Sequence, residues 1–280
     1  MNKSYFLVIV SVLIWSSMGI FVRYLSVSGL IAYFFAALIS TIIFALLLVK
    51  EGKLKKFFAK KYLWIPIIIG FLGVINNVSY FYAYQLTTIA NATFIHYLAP
   101  VLVIILSPLL LSEKTEKRMW YSVILSLVGL FILLGVTNLN FTKNASIGII
   151  LALLSAIGYS LGIIFFKIAS KHYSNKEIIF SQMFFSVIML LPFVIYLKPT
   201  IIHSDIIPLI TLGLLHQGLA VLLFITALRN LPSQNVSIVT YLEPVGAVFL
   251  AFLLLNETTS LHTIIGGLII LVSCYLTIRN

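Results

Sequence analysis

The residue with the clearest capacity for chemistry is Glu243, a carboxylic acid in the middle of a long apolar stretch. It stands in the motif Leu242-Glu243-Pro244-Val245, whereas the other acidic residues lie in or beside polar stretches. A charged side chain at the centre of a membrane costs on the order of 3 kcal/mol, so such a group is protonated, paired or in contact with a wet cavity. The motif predicts proton exchange or pairing with a cationic ligand. The alternative is a neutral acid that hydrogen bonds with a backbone carbonyl freed by Pro244.

Polar aromatic residues on the third apolar segment form a second group of candidates. Asn77, Tyr80 and Tyr84 are spaced i, i+3, i+7, which places them on one face of a helix. Because polar groups facing lipid are costly, this face is expected to look into a helix bundle. Two interpretations stay open: the face lines a cavity, or it only hydrogen bonds with a neighbouring helix.

Two histidines, an amide and an indole complete the candidate binding residues. His96 lies in the fourth apolar segment, and His216 and Gln217 lie near the middle of the eighth. A buried histidine also serves as a hydrogen-bonding structural residue, so each of them has that alternative. Trp15 lies well inside the first segment, where a packing role competes with a place in a cavity.

Motifs of known enzyme chemistry are nearly absent. The sequence has neither HExxH nor GxxxxGK[ST]. GYSLG at residues 158–162 fits the GxSxG pattern, but that motif requires a strand-to-helix turn and here lies inside a predicted helix. Cys274 is the only cysteine, and His172, His203 and His262 are far apart, which gives no convincing metal set. We therefore predict no catalytic residues, no metal site, no cofactor and no enzyme activity.

The elements that must position these residues are membrane helices. Apolar residues make up 61% of the chain and charged residues 9%, which excludes a soluble domain. A segment of about 20 apolar residues crosses the bilayer, and continuous apolar runs favour helices over a β-barrel. The sequence predicts a single all-α membrane domain over residues 1–280 with ten transmembrane helices. They run approximately over 4–22, 29–49, 62–84, 88–110, 119–136, 146–166, 177–197, 206–228, 234–254 and 261–278.

The chain contains an internal repeat with a constant offset of 144 residues. Residues 91–115 recur without a gap at 235–259, and Pro100 matches Pro244. Two repeats of approximately 1–140 and 145–280 hold five segments each, so the second repeat must cross the membrane in the opposite direction. Interior prolines interrupt helices, and broken helices in matching positions of two halves indicate a binding site. Pro100 and Pro244 are thus predicted helix breaks.

The net charge of +11 is explained by membrane topology rather than by nucleic acid. If both termini are cytoplasmic, all basic residues except Arg23, Lys143 and Lys198 lie on the cytoplasmic side. We predict a multi-pass protein of the cell membrane, with residues 50–61 and 112–118 inside and 137–145 and 256–261 outside. Its predicted partners are the lipid bilayer and a small-molecule substrate; the oligomeric state does not follow from the sequence.

These features resemble the drug/metabolite transporter superfamily, specifically its EamA-type members. The resemblance is carried by ten segments in two halves and by the motifs WSSMG at 15–19, YLAPV at 97–101, LEPV at 242–245, LSE at 111–113 and LNE at 255–257. The family usually has glycine before the acid of the last two motifs, where this chain has Ser112 and Asn256. The resemblance implies cytoplasmic termini and a central cavity formed mainly by the third, fourth, eighth and ninth helices.

The expected function is secondary transport of a small polar metabolite by alternating access, with amino acids as the favoured class. Proton coupling through Glu243 is a further hypothesis. One alternative is a carrier of quaternary amines, in which Glu243 and tyrosines form an aromatic cage. A remote alternative is a membrane-embedded enzyme or assembly factor. A phosphorylated substrate is disfavoured, because none of the Lys and Arg residues lies at mid-membrane.

Overall fold

The computed structural model describes residues 3–135, 143–255 and 260–279, and within them it contains helices and no strand. Ten of these helices are long and apolar enough to cross a membrane, and every end lies within one turn of its predicted position. They are α1 (Lys3–Val22), α2 (Gly29–Lys50), α3 (Trp64–Leu86), α4 (Ile89–Leu111), α5 (Lys117–Leu134), α6 (Asn144–Ala169), α7 (Asn175–Leu197), α8 (His203–Asn230), α9 (Ser233–Leu254) and α10 (Leu261–Ile278). The predicted fold class is confirmed. Residues 137–142 and 256–259, with Asn256 and Glu257, lie outside the described residues.

The packing follows the repeat, with α1–α5 in the first half and α6–α10 in the second. Helix α3 packs against α6, and α8 packs in the equivalent way against α1. Helix α2 also packs against α7 and α5 against α10, each of them a pair of repeat-related helices, and α7 packs against α3 as well. With five spans in each half, the two halves are inverted with respect to each other.

Helices α4 and α9 are both broken near their middle. Helix α4 consists of Ile89–His96 and Ala99–Leu111, and α9 of Ser233–Val239 and Leu242–Leu255. Pro100 and Pro244 lie in the first turn after each break. Backbone N–H groups in a first turn have no acceptor within the helix, so proline costs no helical hydrogen bond there. The Tyr241 hydroxyl donates to the Tyr97 carbonyl at 2.6 Å, which satisfies one acceptor at the α4 break.

Helix α8 contains a π-helical stretch, Leu212–Ala220, that the sequence analysis did not predict. A π-helix is rare and shifts the backbone bonding pattern, so its carbonyls need other partners. Trp15 Nε1 donates to the His216 carbonyl at 3.0 Å and Ser11 Oγ to the Ala220 carbonyl at 2.8 Å. Side chains of α1 thus stabilise the wider turns of α8.

The side of the bundle that carries most of the basic loops is tied together by polar contacts. Lys167 Nζ donates to the carbonyls of Leu228 at 2.6 Å and Leu231 at 2.7 Å, at the end of α8. The Glu113 carboxylate accepts from the backbone N–H of Ser233 at 2.9 Å, where α9 begins. These bonds connect α6 to α8 and α4 to α9, so they close the bundle at this side, which we call the basic side.

Helices α5 and α10 cross at close range through small residues. A Cβ on Gly266 would come within 3.0 Å of the Leu133 backbone, so only glycine fits there without a shift. Ser126 Oγ donates to Ser273 Oγ at 2.7 Å, and Ser273 Oγ donates to the Ser122 carbonyl at 2.5 Å. This crossing is stabilised by close packing and buried hydrogen bonds, as is typical of helix pairs in membranes.

Candidate functional site

A cavity of about 120 Å³ lies between the two repeats near the middle of the ten helices. Its polar lining residues are Trp15, Asn76, Asn77, Tyr80, His96, Tyr159, Gln182, Gln217 and Glu243. Helices α1, α6 and α7 contribute to this lining as well as α3, α4, α8 and α9. The third, fourth, eighth and ninth helices supply 11 of the 18 lining residues, so they form most of the wall as expected, and α6 adds four more.

Much of the wall consists of repeat-related positions. The lining pairs at the offset of 144 are Trp15 with Tyr159, Met18 with Gly162, Gly73 with Gln217, Asn77 with Val221, and Tyr80 with Phe224. The cavity therefore lies at the repeat interface, where transporters with inverted repeats bind their substrates. In most pairs only one member is strongly polar, so the two walls differ in chemistry.

Glu243 lies in the first turn of the second α9 segment and is partly accessible because it faces the cavity. Its backbone carbonyl accepts from Ser16 Oγ at 2.9 Å, and its carboxyl lies against the Tyr97 hydroxyl. Helix N-termini favour negative charge. The ion pairs found between described residues do not include Glu243. The carboxyl is thus placed to receive a cationic group from the cavity.

His96 ends the first α4 segment and is held from behind by α6 and α3. Its Nδ1 lies 2.9 Å from Ser155 Oγ, which in turn lies 2.9 Å from both the backbone oxygen and the Oδ1 of Asn76. The His96 ring stacks on Tyr80, with ring centroids 4.1 Å apart. Among the described residues no partner is found for His96 Nε2, and that atom is open to the cavity.

The predicted face of α3 divides into residues that line the cavity and one that lies behind them. Asn77 and Tyr80 line the cavity, and Asn77 Nδ2 donates to the Gly73 carbonyl at 2.8 Å. Tyr84 is not among the lining residues; its hydroxyl lies 3.4 Å from Thr93 Oγ1, which also accepts from Tyr80 at 3.3 Å.

His216 and Gln217 are neighbours in the π-helical stretch but face different surroundings. Gln217 lines the cavity. His216 is fully buried outside the lining, with Nε2 3.0 Å from Ser17 Oγ and Nδ1 3.4 Å from the Thr211 carbonyl. His216 therefore contacts Ser17, where α1 is interrupted between Ser16 and Met18, and it lies outside the cavity lining.

The structure adds Asn76, Tyr159 and Gln182 to the predicted lining residues. Tyr159 is the repeat partner of Trp15, so the offset alone could have indicated it. Gln182 is an isolated amide in the middle of α7, and its Oε1 is buried without a hydrogen-bond partner in the described part of the chain. A buried polar atom without a partner is uncommon in folded proteins and here lies on the cavity wall.

A second, smaller cavity of about 10 Å³ adjoins the first. Met18, Asn77 and Gln217 line both cavities and separate them. The smaller cavity continues between α1, α2, α3 and α8 towards Val22 and Ala32, away from the basic side. The smaller cavity therefore lies on the side of the central cavity opposite the Lys167 and Glu113 contacts.

Ten helices in two inverted repeats around a central cavity define a membrane transporter. The EamA-like transporter family matches residues 2–135 and 146–279, and the chain belongs to that family. It is 26% identical to the "Uncharacterized transporter YxxF" of Bacillus subtilis, over 96% of this chain and 88% of that protein. It is also 26% identical to the pseudopaline exporter CntI of Pseudomonas aeruginosa, over 86% and 83%. One crystal structure shares the fold with a TM-score of 0.85 at 17% identity, covering 99% of this chain and 98% of the other.

Proposed function

We propose that this chain carries a small polar metabolite with a positively charged amino group through the central cavity, with amino acids as the favoured class. The observation that carries the proposal is the composition of the wall. It holds one carboxyl, Glu243, and no Lys or Arg among the lining residues. A buried charge needs a partner, so the substrate supplies the cation. An anionic phosphorylated substrate has no counter-charge here.

Movement of the substrate uses alternating access between the two sides. The breaks in α4 and α9 divide each helix into segments that move separately, and both breaks adjoin the cavity. The smaller cavity extends away from the basic side, whereas Lys167 and Glu113 close the basic side. Release of those bonds, together with closure between α1, α2, α3 and α8, exposes the same site to the other side.

Proton coupling through Glu243 is part of the proposal. When the cationic substrate leaves, the carboxyl takes up a proton, because an unpaired carboxylate in a membrane interior is costly. The proton leaves when the next substrate binds. Substrate and proton thus compete for one group, which couples their gradients.

A quaternary-amine carrier is the second candidate, favoured by the rings around the cavity. Trp15, Tyr80, Tyr159 and Phe224 all line it, and cations bind to faces of such rings. A third class, an enzyme or assembly factor, has no lining feature in its favour. The relative named as a pseudopaline exporter supports a metabolite as cargo.

Thermal stability of the purified protein with added ligands tests the substrate class, since a bound ligand raises the apparent stability. Amino acids or choline-like amines are expected to raise the melting temperature, and nucleotides and sugar phosphates are not. In proteoliposomes, Glu243→Gln is expected to abolish gradient-driven accumulation of the ligand found. Glu116→Gln is the matched control, because Glu116 pairs with Arg118 at the exposed surface. Stabilisation by phosphorylated compounds alone would overturn the proposal.

We also propose the orientation with both termini cytoplasmic, in the cell membrane, as a single domain of two repeats. It is tested with single cysteines on a Cys274→Ser background and a membrane-impermeant thiol reagent. Lys198→Cys is expected to react from outside intact cells and Lys55→Cys is not; both positions are exposed. The reverse pattern would contradict the orientation.

A further inference from the structure

We propose that Ser155 and Asn76 hold His96 in the tautomer whose Nε2 accepts hydrogen bonds from the cavity, so that the site selects ammonium groups that carry N–H bonds over fully alkylated ones. This inference rests on the proposed function, because it concerns how the same cavity recognises its cationic substrate. It assigns a positioning role to two residues and a preference between the two substrate classes given above.

The Ser155 hydroxyl has one proton and three possible partners. Its Oγ lies 2.9 Å from three atoms: His96 Nδ1, the Asn76 backbone oxygen and Asn76 Oδ1. A hydroxyl has one proton to donate, and a backbone carbonyl only accepts. The Ser155 proton therefore goes to Asn76, and the Ser155 oxygen accepts from His96. Consequently Nδ1 carries the proton in the neutral imidazole, and Nε2 carries a lone pair.

The lone pair on His96 Nε2 is held in one direction. His96 lines the cavity, and Nε2 is open to it with no partner among the described residues. The ring cannot turn freely, because it stacks on Tyr80 at 4.1 Å and lies 5.4 Å from both Tyr97 and Tyr159. The cavity thus contains an acceptor of fixed direction.

The His96 acceptor and the Glu243 carboxyl have a neighbour in common, Tyr97. Tyr97 contacts both groups: its ring faces His96 edge-on, and its hydroxyl lies against Glu243. A primary ammonium donates to both acceptors. A quaternary ammonium has no N–H, so it leaves the His96 lone pair unpaired, and a buried acceptor without a partner is costly. A site that hydrogen bonds with its ligand discriminates strongly against a ligand without the donor. An apolar site discriminates less strongly against a ligand that is shorter by one methylene.

The repeat-related serine provides a natural control. Ser11 is the repeat partner of Ser155, and it donates at 2.8 Å to the carbonyl of Ala220, the partner of Asn76. The position equivalent to His96 is Thr240, whose hydroxyl donates to Ser237 in its own helix. The serine–carbonyl bond between helices therefore exists in both halves, but only Ser155 also bonds with an imidazole.

The test uses the purified full chain and four head-group probes: methylammonium, dimethylammonium, trimethylammonium and tetramethylammonium. Their affinities are measured by thermal stabilisation and by competition with the ligand found in the screen. The wild type is expected to bind trimethylammonium at least tenfold more tightly than tetramethylammonium, although the two differ by one methyl group. Ser155→Ala is expected to bring this ratio close to one, whereas Ser11→Ala leaves it unchanged.

Two histidine variants test the inference even if Ser155→Ala does not fold. His96→Gln places an amide oxygen near the position of Nε2 and is expected to keep the ratio. His96→Phe keeps an aromatic ring without an acceptor and is expected to lose the ratio while still binding tetramethylammonium. Equal ratios in Ser155→Ala and Ser11→Ala, or a wild type that binds tetramethylammonium as tightly as trimethylammonium, would overturn the inference and leave the cation site intact. Binding of none of the four probes by the wild type would overturn the proposed function as well.

Discussion

Two repeat-related serines make equivalent hydrogen bonds from one repeat to the other, but the residues around the two bonds differ. Ser11 and Ser155 each connect two helices through a carbonyl, at 2.8 and 2.9 Å. The Ser11 bond supports the π-helical stretch of α8, whereas Ser155 bonds with Asn76 and also with His96. Duplication has therefore kept the bonds that hold helices together and changed the side chains that face the cavity.

The cavity wall shows the same difference between the halves. Asn77 and Tyr80 of α3 have the apolar partners Val221 and Phe224 on α8, while Gly73 of α3 has the polar partner Gln217. Among the described lining residues, the one carboxyl comes from the second half and the one histidine from the first. A symmetric framework thus encloses an asymmetric site, which binds a small polar molecule in one preferred orientation.

The largest expected effect comes from removing the one carboxyl of the wall. Glu243→Gln is expected to weaken binding of an amine substrate by about 100-fold, since a hydrogen bond to a charged group contributes roughly 1.5–3 kcal/mol. Moving the acid to the repeat-related position, in Glu243→Ala/Ala99→Glu, is expected not to restore binding, because Ala99 is fully buried and does not line the cavity. Affinities from competition binding provide the check, and recovery in the double variant would show that the two halves are interchangeable.

The next largest effect is expected at the α5–α10 crossing, where a substitution should change stability but not ligand preference. Gly266→Ala is expected to destabilise the protein by about 1–3 kcal/mol, because its methyl group overlaps the Leu133 backbone. Gly267→Ala is the matched control, since its nearest neighbours lie 3.7 and 3.9 Å from an added Cβ. Melting temperatures should differ between the two variants, while both keep the trimethylammonium preference. A change of preference in Gly266→Ala would connect the α5–α10 crossing to the site.

A smaller effect is expected from substitution of Lys167, at a position where both halves carry a basic residue. Lys167 has Arg23 as its repeat partner, so Lys167→Arg should be tolerated. Lys167→Ala removes bonds to two carbonyls at the end of α8 and is expected to cost about 1–2 kcal/mol, since the amine is partly exposed. Equal melting temperatures of Lys167→Ala and the wild type would contradict the closing role given to this contact.

The smallest effect comes from making one lining pair alike. Tyr80→Phe gives α3 the ring that α8 carries at Phe224 and removes a long hydrogen bond of 3.3 Å to Thr93. The apparent substrate affinity is expected to change threefold or less, about 0.7 kcal/mol, because net contributions of such bonds are about 1 kcal/mol or below. The reverse change, Phe224→Tyr, serves as its counterpart, and a tenfold loss in Tyr80→Phe would place its hydroxyl in direct contact with substrate.

The sequence predicted the helices and the repeat because both depend on local properties, apolar length and matching residues such as Pro100 and Pro244. It did not distinguish the two histidines, since both lie inside apolar segments. Their difference depends on distant residues. Both nitrogens of His216 have partners, Ser17 and Thr211, while His96 has one hydrogen-bond partner in the described part of the chain, Ser155 on Nδ1. Whether His216 or Tyr84 affects binding stays a prediction.

The π-helical stretch of α8 was also beyond the sequence analysis. Gly213 and Gly218 within it are small, but small residues are common in membrane helices. The extra turn width is stabilised by donors from α1, Trp15 and Ser11, which lie about 200 residues earlier in the chain. Local pattern alone therefore predicts an ordinary helix there. The place of Tyr159 in the cavity wall, by contrast, could have been predicted from the repeat offset, because Tyr159 is equivalent to Trp15.

The close crossing of α5 and α10 joins two helices that are synthesised far apart in time. Helix α5 ends at Leu134, and its partner begins only at Leu261. Synthesis proceeds at roughly 5–20 residues per second, so the face of α5 with Ser122, Ser126 and Gly129 waits about 6–25 s for its partner. The first repeat therefore enters the membrane with an unpaired edge, and α10, which emerges from the ribosome much later than α5, completes the packing of both halves.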